Sequence, residues 1–146
     1  GYREVQLHIL KSKELITMNS KQLCQQFGRI LGGEAKFEHG VCSVELERDL
    51  KVKIQGRPSK AELHAEMMFE SLDQNGWALN MGETVILEEE VYPFISILQK
   101  NGILVSALHN HWLFAEPTIL YLHFQSVEPP LSFAHKVAEA LRVFQQ

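Results

Sequence analysis

The sequence lacks any long hydrophobic run. No apolar stretch approaches the roughly 18–20 residues that a membrane-spanning helix needs. The first residues also lack the positively charged and then apolar segments of a secretory signal. We therefore predict no membrane span. The cytoplasm is the favoured compartment for the chain as it stands, and secretion is the alternative if a leader has been removed before Gly1.

The sequence is also poor in clustered positive charge. Its 14 Lys and Arg residues are scattered, and the formal net charge is -4. Proteins hold a phosphate backbone through clustered Lys and Arg, so nucleic acid is excluded as a partner. The 45% hydrophobic and 22% charged residues are typical of a soluble globular protein, and 146 residues suit one domain.

Cysteine is scarce, because Cys24 and Cys42 are the only two in the chain. Their spacing matches no metal-binding or redox motif. Cys24 lies on the apolar face of a predicted helix, which favours a small buried thiol over a disulfide. Whether the two cysteines pair stays open at this point.

Three helices are predicted from apolar residues at helical spacing. The first begins at a cap on Asn19 or Ser20 and stops at Gly32-Gly33. The second begins near Glu90, because Pro93 is tolerated only in a first turn, and ends at Asn101-Gly102. The third is capped by Ser132. Residues 1–18 are an N-terminal extension, a strand or a poorly ordered segment partly derived from a tag, and residues 19–146 are the domain.

The remaining periodic segments predict strands. AKFE and VCSVELER form a hairpin around His39-Gly40, and a strand over 50–54 ends at an Arg57-Pro58 break. Residues 61–70 alternate strictly and are assigned to a strand, although their composition also suits a helix. Strands over 77–81 and 84–87 flank a bulge or turn at Gly82. The fold class is α+β, a largely antiparallel sheet with about three amphipathic helices packed on one face.

A hairpin over residues 103–124 carries the one constellation that resembles chemistry. Side chains alternate along a strand, so His109 and His111 share one face. If paired residue numbers sum to 232, His109 lies opposite His123 and His111 opposite Tyr121, with facing Cβ atoms about 4.5–5.5 Å apart. A slip by one residue would send His123 to the other face.

The segments VILEEEVYPF, ALHNHWLFAEP, LYLHF and LSFAHKVAEAL resemble the LppY/LpqO-type bacterial domain of unknown function, from about Gln22 to the C-terminus. Members of that family are often secreted lipoproteins with two copies of the domain, and this chain resembles a single copy. The resemblance implies functional positions but no established reaction. The matched positions are Glu90, His109, His111 and His123.

These residues support two hypotheses of different classes. In the first, His109, His111 and His123 bind Zn, Mn, Fe, Co or Ni, with Glu90 or Glu116 as an oxygen ligand, and an open position permits metal-dependent catalysis. In the second, the same side chains line a polar pocket of a non-catalytic binding or interaction module with no metal. A small-molecule ligand and a homo-oligomer are compatible with both. Further ligand contacts are predicted at Tyr121, Glu116, Asn110 and Arg57, and His64 and Glu66 share a face that could extend the site.

Overall fold

The computed structural model describes residues 1–145, except the side chains of residues 12–19. Three α-helices alternate with antiparallel strands, and a short 3-10 helix closes the described chain. The helices are α1 (Tyr2–Leu31), α2 (Glu88–Lys100) and α3 (Pro130–Leu141), followed by the 3-10 helix Arg142–Gln145. The strands are β1 (Ala35–Glu38), β2 (Val41–Glu47), β3 (Val52–Ile54), β4 (Arg57–Ser59), β5 (His64–Glu70), β6 (Ala78–Leu87), β7 (Leu104–Asn110), β8 (Ala115–Glu116) and β9 (Ile119–Glu128).

The strands form two sheets. The larger has six strands in the order β1-β2-β5-β6-β9-β7, and the smaller has three in the order β4-β3-β8. Every described strand pair is antiparallel. The predicted α+β fold with a largely antiparallel sheet is therefore confirmed.

The helices pack against one face of the large sheet. Side chains alternate along β9, so Leu122 and Phe124 point into the helical layer and are fully buried, whereas Tyr121 and His123 point to the opposite face. Phe124 contacts Phe94 of α2 and Phe133 of α3. This aromatic core leaves the other face of the sheet free for a site.

The small sheet covers one end of that other face. Val52 of β3 packs with Val85, Ile119 and Tyr121 of the large sheet, in a second and smaller hydrophobic cluster. The small sheet thus forms a wall beside the part of β9 that carries Ile119 and Tyr121. The rest of the face, toward β2 and β5, is open.

The N-terminal prediction was wrong. The first helix begins at Tyr2, so the REVQLHIL segment is helical and neither Asn19 nor Ser20 caps a helix start. The alternation of Val5, Leu7 and Ile9 was misleading. All three side chains are exposed, so their spacing does not mark the buried face of a strand. The predicted stop at Gly32-Gly33 is confirmed by the left-handed conformation of Gly32.

The two cysteines form a disulfide, so the expectation of a buried free thiol was wrong. Cys24 of α1 and Cys42 of β2 lie with Cα atoms 5.5 Å apart, and both are almost fully buried. The β1–β2 hairpin folds back onto α1 and brings residues 18 apart in sequence into contact. The sequence spacing alone carried no sign of that contact.

Two predicted interruptions of strands also differ. The strand β6 runs through Gly82 without a bulge, and the residue there is glycine because a Cβ would overlap the Phe124 ring on the neighbouring strand. Arg57 and Pro58, predicted as a break after the strand over 50–54, instead belong to β4 and pair with β3. The turn before them is made by Gln55 and Gly56, both with positive φ.

The helix starts of α2 and α3 lie earlier than predicted. The helix α2 begins at Glu88, and Pro93 is inside it, on the exposed side where its ring contacts no core. The helix α3 begins after Pro129, which is its N-cap, and Ser132 lies inside the first turn. The Ser132 hydroxyl donates instead to the carboxylate of Glu128. The predicted end of α2 at Asn101-Gly102 is confirmed.

Candidate functional site

The strands β7 and β9 bring the predicted histidines onto one face. The pairing places Ala107 opposite His123 and His109 opposite Tyr121. The predicted register was therefore wrong by two residues, and a β-bulge between Val105 and Ala107 accompanies the difference. Because side chains alternate with a period of two, an error of two residues leaves His109 and His123 on one face, as predicted.

His109 and His123 face each other through their Nε2 atoms, which are 3.1 Å apart. The Nδ1 atom of His109 lies 3.0 Å from the carbonyl oxygen of Asn110. A carbonyl oxygen can only accept, so the proton of the His109 ring is held on Nδ1. The Nδ1 atom of His123 lies 3.6 Å from Glu83 Oε2, and this carboxylate likewise favours a proton on Nδ1.

The Nδ1 atoms of both rings thus lie near acceptors. In these tautomers the two Nε2 atoms direct their lone pairs at each other. Two neutral imidazoles in these tautomers would repel at this distance. The repulsion disappears if a cation binds between the lone pairs. The geometry of the pair therefore suits a bound cation.

His111 lies apart from this pair. Its Nε2 atom is 2.9 Å from Glu62 Oε2, and its ring stacks on Tyr121 with centroids 4.4 Å apart. Its Nδ1 atom is buried and has no hydrogen-bond partner among the described residues. The Tyr121 ring also contacts His109 and His123 edge-on, so it separates His111 from the other two rings.

Glu90, the predicted oxygen ligand, is occupied elsewhere. Its two carboxylate oxygens accept from both terminal nitrogens of Arg48, at 2.8 and 2.7 Å. One of them also accepts from the Leu87 amide at the start of α2, at 2.9 Å. Both side chains of the ion pair are nearly buried. Glu90 therefore pairs with Arg48 and the start of α2, and the structure does not place it at the histidines.

The other predicted ligand residues are dispersed. Glu116 lies on β8 opposite Lys53, where it lines a cavity of about 650 Å3 beside the small sheet. Arg57 is exposed on β4. The Asn110 side chain points to the strand face opposite His109, and only its backbone carbonyl joins the site. Tyr121 is the one further predicted contact that lies at the histidines.

Glu66, which was predicted to extend the site, lies in line with two carboxylates that the sequence interpretation did not name, Glu45 and Glu83. Glu45 on β2 is directly opposite Glu66 on β5, and Glu66 is directly opposite Glu83 on β6. Glu83 is in turn opposite His123. We call Glu45, Glu66 and Glu83 the acidic row. Alternation showed which face each residue occupies, but only the strand order shows that they are neighbours.

The acidic row changes the titration of the groups around it. Burial, with the charges of Glu83 and Glu45, raises the pKa of Glu66 above its usual 4.5. Burial also raises the pKa of Tyr121 to about 12, with further contributions from Glu83, Glu62, Glu66 and Glu45. Tyr121 is therefore a neutral hydroxyl at physiological pH. Its side chain is only 9% exposed.

The sequence pattern of the family described as Domain of Unknown Function (DUF1259) matches residues 25–143. The chain belongs to this family. The matched part of the DUF1259 domain contains the histidine pair, His111 and the whole acidic row, and excludes most of α1. The curated proteins compared gave no match. The solved structures compared gave none either.

The three predicted histidine ligands are not gathered around one point. Over the side chains that the structure describes, no group of three or more His, Cys, Asp and Glu residues is placed to hold a metal ion. No described helix has the length and apolar character needed to cross a membrane. The candidate site of this DUF1259 domain is a pair of histidines, His109 and His123, next to the acidic row.

Proposed function

We propose that this DUF1259 domain binds a divalent first-row metal ion through the Nε2 atoms of His109 and His123, and a small polar molecule beside it. The observation that carries the proposal is the pair of facing Nε2 atoms, 3.1 Å apart, with both Nδ1 atoms next to acceptors. Metal-binding histidines commonly donate their other ring proton to a carbonyl or a carboxylate, which fixes the tautomer. Asn110 and Glu83 supply those two acceptors here.

The ligand chemistry narrows the choice of metal. Imidazole nitrogen suits Zn, Ni, Co and Fe, and affinity at such a site rises from Mn toward Ni. Two imidazoles fill only part of the coordination sphere, so water or a ligand atom would complete it. A metal bound in this way supplies Lewis-acid character to that ligand. The acidic row next to the pair favours a positive ion electrostatically.

The finer family assignment is also a proposal. The LppY/LpqO-type resemblance matches Glu90 with the three histidines. We infer that these four positions have different tasks, because Glu90 neutralises Arg48 and His111 pairs with Glu62, whereas only His109 and His123 face each other. In this view the resemblance covers two residues of the site, His109 and His123, and two residues that support the structure around it, Glu90 and His111.

The disulfide supports a change in the proposed compartment. Disulfides persist in oxidising compartments and are rare in the cytosol. The Cys24–Cys42 bridge lies inside the core, where it joins the first helix to the sheet. We therefore propose secretion, in place of the cytoplasmic location expected from the sequence.

A second candidate is a metal-free binding module. The separate pairing of His111 with Glu62 favours it, because a metal enzyme with three histidine ligands would need His111 at the pair. The site would then bind polar ligands through hydrogen bonds alone.

Calorimetric titration of Zn and Ni into chelator-treated protein separates the candidates. We expect one ion per chain in the wild type, and loss of binding in His109→Ala and in His123→Ala. His135→Ala is the matched control, because His135 is an exposed histidine on α3, on the other side of the sheet. Equal binding by all four proteins, or none by the wild type, would contradict the metal proposal and favour the metal-free module.

A further inference from the structure

The strand β7 is one of the two edges of the large sheet. It pairs with β9 on one side, and no strand of the described chain lies on its other side. Every side chain of β7 except that of Val105 is exposed, so the outer edge is open along its length. The backbone N–H and C=O groups on such an edge can pair with a strand from another chain.

The two edges of the sheet differ in their protection. The other edge, β1, has only four residues and carries exposed Lys36 and Glu38. Short length and charged side chains are common ways in which proteins prevent pairing at an edge. In contrast, β7 has seven residues and contains no Lys, Arg, Asp, Glu or Pro. Its one irregularity is the β-bulge at Ser106, and residues 107–110 beyond it pair regularly with β9.

Exposed apolar side chains lie along the β7 edge. Leu108 is 42% exposed within the regular segment, and Leu104 is 65% exposed at the start of the strand. Trp112, just beyond the end of the strand, is 48% exposed. Apolar side chains beside an unprotected edge favour burial of that edge against another chain.

The β7 edge is complementary to itself. In an antiparallel pair of two β7 strands with the two-fold axis at Leu108, this leucine lies against Leu108 of the partner copy. His109 lies opposite Ala107 of the partner copy, so the imidazoles of the two copies do not face each other. Like charges directly opposite each other destabilise a strand pair, and this pairing brings none together.

Pairing of β7 with β1 of another molecule is less favourable. That contact would place the charged Lys36 and Glu38 beside an apolar edge. It would also be head-to-tail, and such a contact continues from molecule to molecule unless the rotation closes a ring. The contact of β7 with itself is isologous and closes after two copies.

We propose that two copies of this chain form a homodimer through antiparallel pairing of their β7 strands, with the two-fold axis at Leu108. The two six-stranded sheets then continue as one sheet across the axis. Because His109 is on β7, the strand of each copy borders the candidate site of the other. The proposal goes beyond the proposed function and does not depend on a bound metal.

Cysteine cross-linking tests the position of the axis. The two native cysteines are joined in a buried disulfide, so a new surface cysteine is the one free thiol of the oxidised chain. We expect Leu108→Cys to form an intermolecular disulfide on mild oxidation, because opposing Cα atoms of an antiparallel pair lie about 4.5–5.5 Å apart. Leu104→Cys is the matched control. Its two copies would be about 27 Å apart along the strands and should not cross-link.

Sedimentation equilibrium of chelator-treated protein measures the association without a bridging metal ion. We expect the wild type to reach twice the monomer mass, and Leu108→Lys to weaken dimerisation by about tenfold, because it places two ammonium groups at the axis. Val127→Lys is the control, since Val127 is exposed on β9 beyond the segment that β7 covers. It should dimerise as the wild type does.

Four results would overturn the proposal. These are a wild type that is monomeric at its highest soluble concentration, growth into polymers larger than a dimer, unchanged dimerisation in Leu108→Lys, and cross-linking of Leu104→Cys as efficient as that of Leu108→Cys. Circular dichroism of each variant establishes that it is folded. The exposure of Leu108 makes its substitution compatible with the fold.

Discussion

The guanidinium group of Arg48 lies over the ring of Phe144, 3.6 Å from its centroid. The same group donates to both carboxylate oxygens of Glu90 and to the Val85 carbonyl oxygen. One side chain thus links the end of β2, the first turn of α2 and the C-terminal 3-10 helix. Glu90 is the only described carboxylate that balances this nearly buried charge.

Glu90→Gln should therefore destabilise the fold and leave metal binding intact. Removing one member of a buried ion pair costs about 3–5 kcal/mol, because the remaining charge stays buried without compensation. Chemical denaturation measures the loss, with Glu89→Gln as the exposed neighbour whose stability should not change. A Glu90→Gln protein of normal stability that has lost zinc binding would instead make Glu90 a metal ligand.

Gly82→Ala should destabilise the sheet. The added methyl group would meet the Phe124 ring on the adjacent strand, and both residues are buried. Overpacking of this kind costs about 1–3 kcal/mol. Thermal unfolding checks the loss, and Phe124→Leu in the same chain should make the Gly82→Ala substitution less harmful. Additive losses in the double variant would show that the ring is not the obstacle.

Removal of the disulfide should lower stability without changing the histidine pair. For a loop of this size, a disulfide contributes about 3 kcal/mol, mainly through the unfolded chain. The double variant Cys24→Ala and Cys42→Ala should unfold at lower denaturant concentration than the oxidised wild type. Reduced wild-type protein should show a similar loss. An unchanged midpoint after complete reduction of the wild type would show that the bridge contributes little.

Glu66→Gln should stabilise the ligand-free protein at neutral pH. The folded state raises the pKa of Glu66, so the charged carboxylate lowers stability as the pH rises from 4.5, and the full penalty is reached above the folded pKa. The gain should be a few tenths of a kcal/mol, since the side chain is partly exposed and its charge is screened. It should vanish as the pH falls below 4.5, where the carboxyl is neutral in both states. Thermal unfolding at the two pH values measures the difference, and a gain that persists in acid would exclude this electrostatic cause.

The sequence predicted the fold class and the shared face of the histidines because both depend on local periodicity. Alternation placed His109 and His123 on one face, and the two-residue error in register did not change that result. Local periodicity does not predict contacts between segments that are distant in the sequence. Cys24 meets Cys42 only after the hairpin folds onto α1, and Glu83 meets His123 only because β6 lies next to β9.

Helix starts were predicted less well because the local signals were ambiguous. Asn19 is a residue type that favours a cap, yet the helix passes through it, since a cap residue is only a preference. Pro93 was expected in a first turn, but at an exposed position the helix tolerates it further in. The exposure of Pro93 is a property of the folded chain.

The alternation along β9 has a consequence for how members of this family can diverge. Leu122 and Phe124 fill the helical core, while Tyr121 and His123 form the site between and beside them. Insertion or deletion of a single residue within this strand would move imidazole into the core and phenylalanine onto the surface at once. Length variation among relatives should therefore be confined to the connections, and β9 should change by substitution alone.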